Sequence, residues 1–168
     1  LWNIVFQTLR IDGMHDAVQQ WQLRFAEMQK QLQTLNALHL QSLHYHNAQG
    51  TDISIQLPKD HEWHSCLSHT KSGVTYAMNL PSEEIYTVPL KGGVDGIVYG
   101  SIPLVYQGFI IKNYYLRFEN GKVVEAGAEE GADKLQALIG FDEGASYLGE
   151  VALVPNDSAI RKSGTLFY

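Results

Sequence analysis

Glu83, Glu84 and Glu150 are the carboxylates of this sequence best placed to do chemistry. Glu83 and Glu84 follow Asn79-Leu80-Pro81, and a proline at that point restricts the backbone that aims the acidic pair. Glu150 directly precedes the apolar run VALV, where a rigid strand can hold a charged head at the rim of a cavity. Carboxylates suit zinc, manganese, cobalt and magnesium, whereas imidazoles favour the transition metals. A pair of such ions can activate a water and stabilise the oxyanion formed on a peptide carbonyl. On these features alone, each position is either a metal ligand or an ordinary surface glutamate at an element end.

The stretch HEWHSCLSH is dense in groups that bind metals or protons. His61 and His64 are three residues apart, so a turn or a helix can bring them together. Cys66, the only cysteine, lies between His64 and His69. The group lacks a second thiolate and the spacing of a structural zinc site, so exposed loop histidines and a packed cysteine are the plainer alternative. Trp63 is either a substrate-contacting aromatic or a packing anchor. The chain contains no HExxH, GxSxG, Walker loop or dinucleotide fingerprint, which removes several familiar enzyme mechanisms.

The elements that must position these residues fall into two stretches. Residues from Leu1 to about 48 read as helical. LWNIVFQTLR forms a short amphipathic segment, Asp12-Gly13 breaks it, and a long helix follows. Val18, Trp21, Phe25, Met28, Leu32, Leu35 and Leu38 recur at steps of three or four, the rhythm of one apolar helix face. Asp16 is placed to cap that helix. Near Gly50 the period becomes two: Thr51, Ile53, Ile55 and Leu57 alternate with polar residues, as in a half-buried strand. Short strands are predicted at 96–100, 108–111, 114–118 and 122–126, with Asn120-Gly121 as a hairpin turn. Their short links predict antiparallel pairing. A helix over about 129–139 stops at Gly140, a strand runs over 151–154, and SGTLFY reads as an unfinished strand that fits a truncated chain.

The net charge of −6, from 12 basic and 18 acidic residues, suits a site for divalent cations. No Lys/Arg cluster interleaves with aromatics, so nucleic acid is not expected as a partner. No apolar run reaches membrane-spanning length, no signal peptide is visible, and no internal disulfide can form. A cytoplasmic protein is expected.

Three blocks carry a family resemblance: NLPSEEIYTVP (79–89), GADKLQALIGFDEGASYLGEVALVPNDSAI (131–160) and SGTLFY (163–168). With weaker likeness through TKSG, GTDISI and the long helix, the chain resembles the M29 family of metalloaminopeptidases, the thermophilic aminopeptidase or aminopeptidase T/S family, over nearly its whole length. The resemblance implies an α+β fold, a long N-terminal helix with a mostly antiparallel or mixed sheet, forming the first part of the family's C-terminal metal-bearing domain. On this reading residues 1–168 are an incomplete domain, helical over about 1–48 and α+β over about 50–168.

The second glutamate of the family's P-[TS]-E-E block is a metal ligand and falls on Glu84. The glutamate of its Y-L-G-E block is another and falls on Glu150. Glu83 is left to support the local turn or contact substrate. The family's remaining ligands, in an N-x-x-x-x-H segment and a His-x-Asp-like cluster, match nothing before Tyr168, nor does a tyrosine near them. His15, His39, His44, His46, His61, His64 and His69 match none of these positions. The resemblance therefore implies hydrolysis of the N-terminal peptide bond of peptides through water activated by two divalent ions, which are zinc, cobalt, manganese or magnesium. It implies peptide substrates and a homodimer in the full-length protein, with no general base assigned and little activity in this stretch alone. The alternative is a non-catalytic scaffold that keeps the fold, with the helix from Val18 to Leu38 as its contact surface.

Overall fold

Asp16 starts the long helix as its sequence position predicts. Its carboxylate accepts from the backbone N–H of Val18 at 2.9 Å and of Gln19 at 3.4 Å, satisfying amides that the first turn leaves unpaired. The computed structural model describes residues 2–166. In chain order its elements are α1 (Trp2–Thr8), α2 (Ala17–Leu38), β1 (Ser42–His46), β2 (Asp52–Gln56), β3 (His64–Ser65), β4 (Leu67–His69), β5 (Thr75–Ala77) and β6 (Ile85–Thr87). There follow β7 (Val94–Tyr99), β8 (Leu104–Tyr106), β9 (Phe109–Ile111), β10 (Tyr115–Glu119), β11 (Lys122–Gly127), α3 (Ala132–Ile139), β12 (Val151–Leu153) and α4 (Ala159–Ser163). The described chain divides into two compact units. The first comprises residues up to His39, Glu62–Thr87 and Ala152–Thr165; the second comprises Leu40–His61, Val88–Val151 and Leu166.

In the first unit α2 buries Trp21, Arg24 and Met28, which share one face at steps of three and four. The expected stripe is narrower than its sequence suggests, because Val18 and Leu38 at the helix ends are 66% and 57% exposed. The Trp21 indole donates to the carbonyl of Leu9 at 3.0 Å. Asn36 pairs its side-chain amide with both backbone groups of Trp63, and Trp63 itself is buried as a packing anchor. Strand β6 lies between β12 and β3 in a three-stranded sheet, and the β3–β6 pairing is antiparallel. Strands β4 and β5 form a hairpin that turns at Gly73, φ 83°. Helix α4 packs on α1.

The second unit is a five-stranded sheet in the order β1-β2-β7-β10-β11. Thr51, Ile53, Ile55 and Leu57 are all buried, as their period-two spacing predicts. Asn120 and Gly121 turn the β10–β11 hairpin with φ of 49° and 82°, the left-handed conformation that those residue types accept. Gly96 in β7 stands against Ile53, so close that a Cβ would meet the Asp52 carbonyl oxygen at 2.2 Å. Helix α3 packs on β9 and β11, and it ends at Gly140, whose N–H donates to the Gln136 carbonyl at 3.0 Å while the Phe141 N–H donates to that of Leu138 at 3.3 Å. Ile53, Ile55, Val94, Ile111, Phe118 and Leu135 form the apolar interior.

Every strand pair with a described register is antiparallel, giving an α+β architecture with N-terminal helices. Two sequence expectations change. The helical stretch expected to reach about residue 48 ends at Leu38, where His39 takes a left-handed cap, and residues 42–46 pair with β2 as β1. At 163–165 a helix end replaces the expected strand: Ser163 closes α4 and Gly164 caps it at φ 64°. Leu166 belongs to no strand, and Phe167 and Tyr168, the end of that expected strand, lie outside the described residues. Among the described residues no helix is long and apolar enough to cross a membrane.

Candidate metal centre

The two adjacent glutamates have different environments. Glu83 is only 3% exposed. Its Oε1 accepts from the Arg10 guanidinium and from Arg24 Nε, the latter at 2.9 Å. Its Oε2 accepts from the backbone N–H of Ala159, at the start of α4, at 2.9 Å. Burial alone would push the Glu83 carboxyl up; the Ser158 hydroxyl, Arg10 and Arg24 outweigh it and hold the group below its ordinary range. Arg24, 5% exposed, completes its fork on Asp157 at 3.0 Å and Glu27 at 3.1 Å. Bidentate, charge-assisted bonds of this kind are the strong ones. Glu83 thus ties its own segment to Arg10, Arg24 and the start of α4, all distant in sequence, a role beyond the two that the sequence leaves open for it.

Glu84 is half-buried in the first unit and directly precedes β6. Cys66 is buried, its thiol donating to the Ser82 carbonyl at 3.6 Å. Burial pushes that thiol up, and the negative charge of Glu84 adds to the shift. The Leu80–Pro81 peptide just upstream is cis.

Glu150 belongs to the second unit, is exposed, and directly precedes β12. The loop that leads to it is fixed locally. Asp142 accepts from the backbone N–H groups of Gly144 and Ala145, both at 2.8 Å. Val123 N–H donates to Ser146 O at 2.8 Å, Tyr147 bridges to Lys122, and the Lys91 ammonium sits 4.6 Å from the centre of the Tyr147 ring. Each predicted ligand thus directly precedes a strand of the same three-stranded sheet.

The histidine-rich stretch has other occupations. His61 Nδ1 lies 2.8 Å from the Pro58 carbonyl, and His69 Nδ1 lies 3.0 Å from the Thr75 hydroxyl. His64 is exposed on β3. Among the described residues no group of three or more His, Cys, Asp or Glu side chains is arranged to hold a metal ion. Sequence reasoning missed the buried role of Arg24. Its position three residues after Trp21 and four before Met28 was the available signal, since it places the guanidinium on the apolar face.

A family model described as thermophilic metalloprotease (M29) matches residues 1–168. The chain belongs to the M29 family. Among its M29 relatives, aminopeptidase AmpS of Bacillus subtilis (strain 168) is 45% identical over 168 residues, which is all of this chain and 40% of that protein. Aminopeptidase T of Thermus aquaticus is 39% identical over the whole chain and 41% of its own length. The solved structure of wild-type AmpT from Thermus thermophilus superimposes with a TM-score of 0.89 at 37% identity, covering 99% of this chain and 40% of that one. This M29 chain spans about two-fifths of the length of the relatives it matches.

Proposed function

We propose that the complete polypeptide is a metal-dependent aminopeptidase that removes N-terminal residues from peptides, and that this chain is the first part of its C-terminal, metal-bearing domain. The observation that carries the reading is the family match across residues 1–168, together with relatives named as aminopeptidases. Glu84 and Glu150 are the metal ligands on this reading. The donor chemistry fits in part: carboxylate oxygens suit divalent ions, but two carboxylates cannot fill a shell of four or more ligands. Bound divalent ions supply Lewis acidity that polarises a scissile carbonyl and makes water acidic enough to attack it. The chain's own contribution is to hold two carboxylates in place and to balance cationic charge. The complete protein would act on peptides as a homodimer in the cytoplasm.

Calorimetric titration with zinc or cobalt tests the reading. The 168-residue chain is expected to bind weakly, whereas the complete polypeptide binds tightly. Glu84→Gln and Glu150→Gln in the complete polypeptide should each reduce metal stoichiometry and peptide turnover. Normal stoichiometry and turnover in both variants would remove the ligand assignment.

A further inference from the structure

We propose that Asn120 is a self-modification site gated by the fold: the Gly121 nitrogen displaces its side-chain amide only when the β10–β11 turn lets go of β7, and the isoaspartyl product cannot close that turn again. The chemistry needs water as its sole co-reactant, with no ion and no substrate.

Asn120 is the one asparagine of the sequence that precedes a glycine. Glycine has no side chain to shield its backbone nitrogen from the neighbouring amide carbon. In the first step the Gly121 N–H gives up its proton, its nitrogen bonds to Asn120 Cγ, and the Cγ–Nδ2 bond breaks. Nδ2 leaves with that proton as ammonia, and a cyclic imide remains. Water then opens the imide. Opening at Cγ gives aspartate on the ordinary backbone. Opening at the Asn120 backbone carbonyl gives an isoaspartyl link, with one more carbon in the main chain. An amide becomes an acid, one water is consumed for each ammonia released, and no oxidation state changes.

The fold exposes one partner of this reaction and withholds the other. Asn120 is exposed, so water reaches it, whereas Gly121 is buried. The Gly121 N–H donates to the Val94 carbonyl at 2.8 Å. The Asn120 N–H donates to Asp95 Oδ1, also at 2.8 Å. Val94 and Asp95 begin β7, so both backbone donors of the turn are fixed to that strand. The grip of Asp95 is the stronger, because a bond to a charged acceptor contributes more than one between neutral groups. The Gly121 nitrogen must leave Val94 before it can lose its proton and reach Cγ. Modification therefore runs through an opened turn.

The same tight fit makes the isoaspartyl change one-way. A Cβ on Gly121 would run into the Lys91 carbonyl and meet Gly92 Cα at 2.8 Å. A main chain longer by one carbon at Asn120 has to displace Gly121 in a space with no slack. The left-handed pair that closes the hairpin, φ 49° and 82°, also suits only two residues of ordinary backbone. The isoaspartyl chain therefore loses the Gly121–Val94 bond, whereas the plain aspartyl product keeps the turn.

The test holds the complete polypeptide at mildly alkaline pH beside a short peptide of residues 115–125. Mass spectrometry of the digested samples quantifies the product at Asn120. Asn120 in the folded protein should react about tenfold more slowly than in the peptide, the effect of one or two hydrogen bonds that must first open. Asp95→Ala should bring the rate toward that of the peptide. Subdenaturing urea on the wild type covers the case in which Asp95→Ala does not fold: the deamidation rate and exchange of the Gly121 amide should rise together. The isoaspartyl form, isolated by ion exchange, should lose protection at Gly121, and Asn120→Asp should keep it.

Peptide-like deamidation of the folded wild type would overturn the gate. Folded Asp95→Ala reacting at the wild-type rate would do the same, as would a rate indifferent to urea while Gly121 exchange accelerates. An isoaspartyl form with wild-type protection at Gly121 would show that the turn recloses, and the one-way change would fall.

Discussion

Arg24 carries a full charge where the helix pattern asks for an apolar side chain. Burying an ion costs several kcal/mol unless partners and hydrogen bonds compensate, and Glu83, Asp157 and Glu27 do so here. Breaking such a cluster from one side leaves the other charge uncompensated. Glu83→Gln should therefore destabilise the first unit by about 3 kcal/mol, the lower end of the usual 3–5, because Arg24 retains two carboxylates. Urea unfolding measures it. The folded Glu83 carboxyl lies below its ordinary value, so its stabilising effect is present above the unfolded value of about 4.3 and disappears as pH falls through the folded one. Stability of the wild type should fall with acid more steeply than that of Glu83→Gln. None of this was legible from sequence, since the partners lie far apart along the chain. The Asp16 cap was legible because its bonds are local.

Elements were legible where their chemistry was local or periodic. The alternation from Thr51 to Leu57, the Asn120-Gly121 turn and the Gly140 stop appear where the sequence placed them. Strand β1 was not legible: its alternating side chains, Ser42 to His46, include no strongly buried residue, so only its pairing with β2 defines it. Strands β4 and β5 and helix α4 are only three to five residues long, too short for a period to register. Gly96 shows what pairing demands that composition hides. Its φ of 122° and its approach to the Asp52 carbonyl leave no room for a methyl group. Gly96→Ala should cost more than the roughly 1 kcal/mol of a typical substitution, read as a lower thermal midpoint and lost amide protection in β2 and β7. A wild-type midpoint would mean that the strands approach less closely.

At the scale of the molecule, the two units are held differently. The second has an apolar sheet interior, while the first buries Arg24 and Glu83 beside Thr8, Ser82, Thr87 and Ser158. Acid should therefore open the first unit earlier. As pH falls below the ordinary carboxylate range, hydrogen exchange is expected to reach α2 and β6 before β7 and β10, and simultaneous loss would show that the charge cluster does not set the order. The predicted ligands divide between the units, Glu84 in the first and Glu150 in the second. Family motifs supplied both positions; local residue chemistry offered them only as two candidates among ordinary glutamates.

All three tryptophans, Trp2, Trp21 and Trp63, reside in the first unit, with Trp21 and Trp63 buried and Trp2 at the surface. Indole fluorescence consequently has no reporter in the five-stranded sheet. A denaturation curve followed at the tryptophan emission maximum describes the helical unit alone, and an aqueous quencher should reach Trp2 while sparing the other two. Any claim that the whole chain melts cooperatively needs a second signal, such as the far-ultraviolet dichroism of the strands, recorded on the same sample.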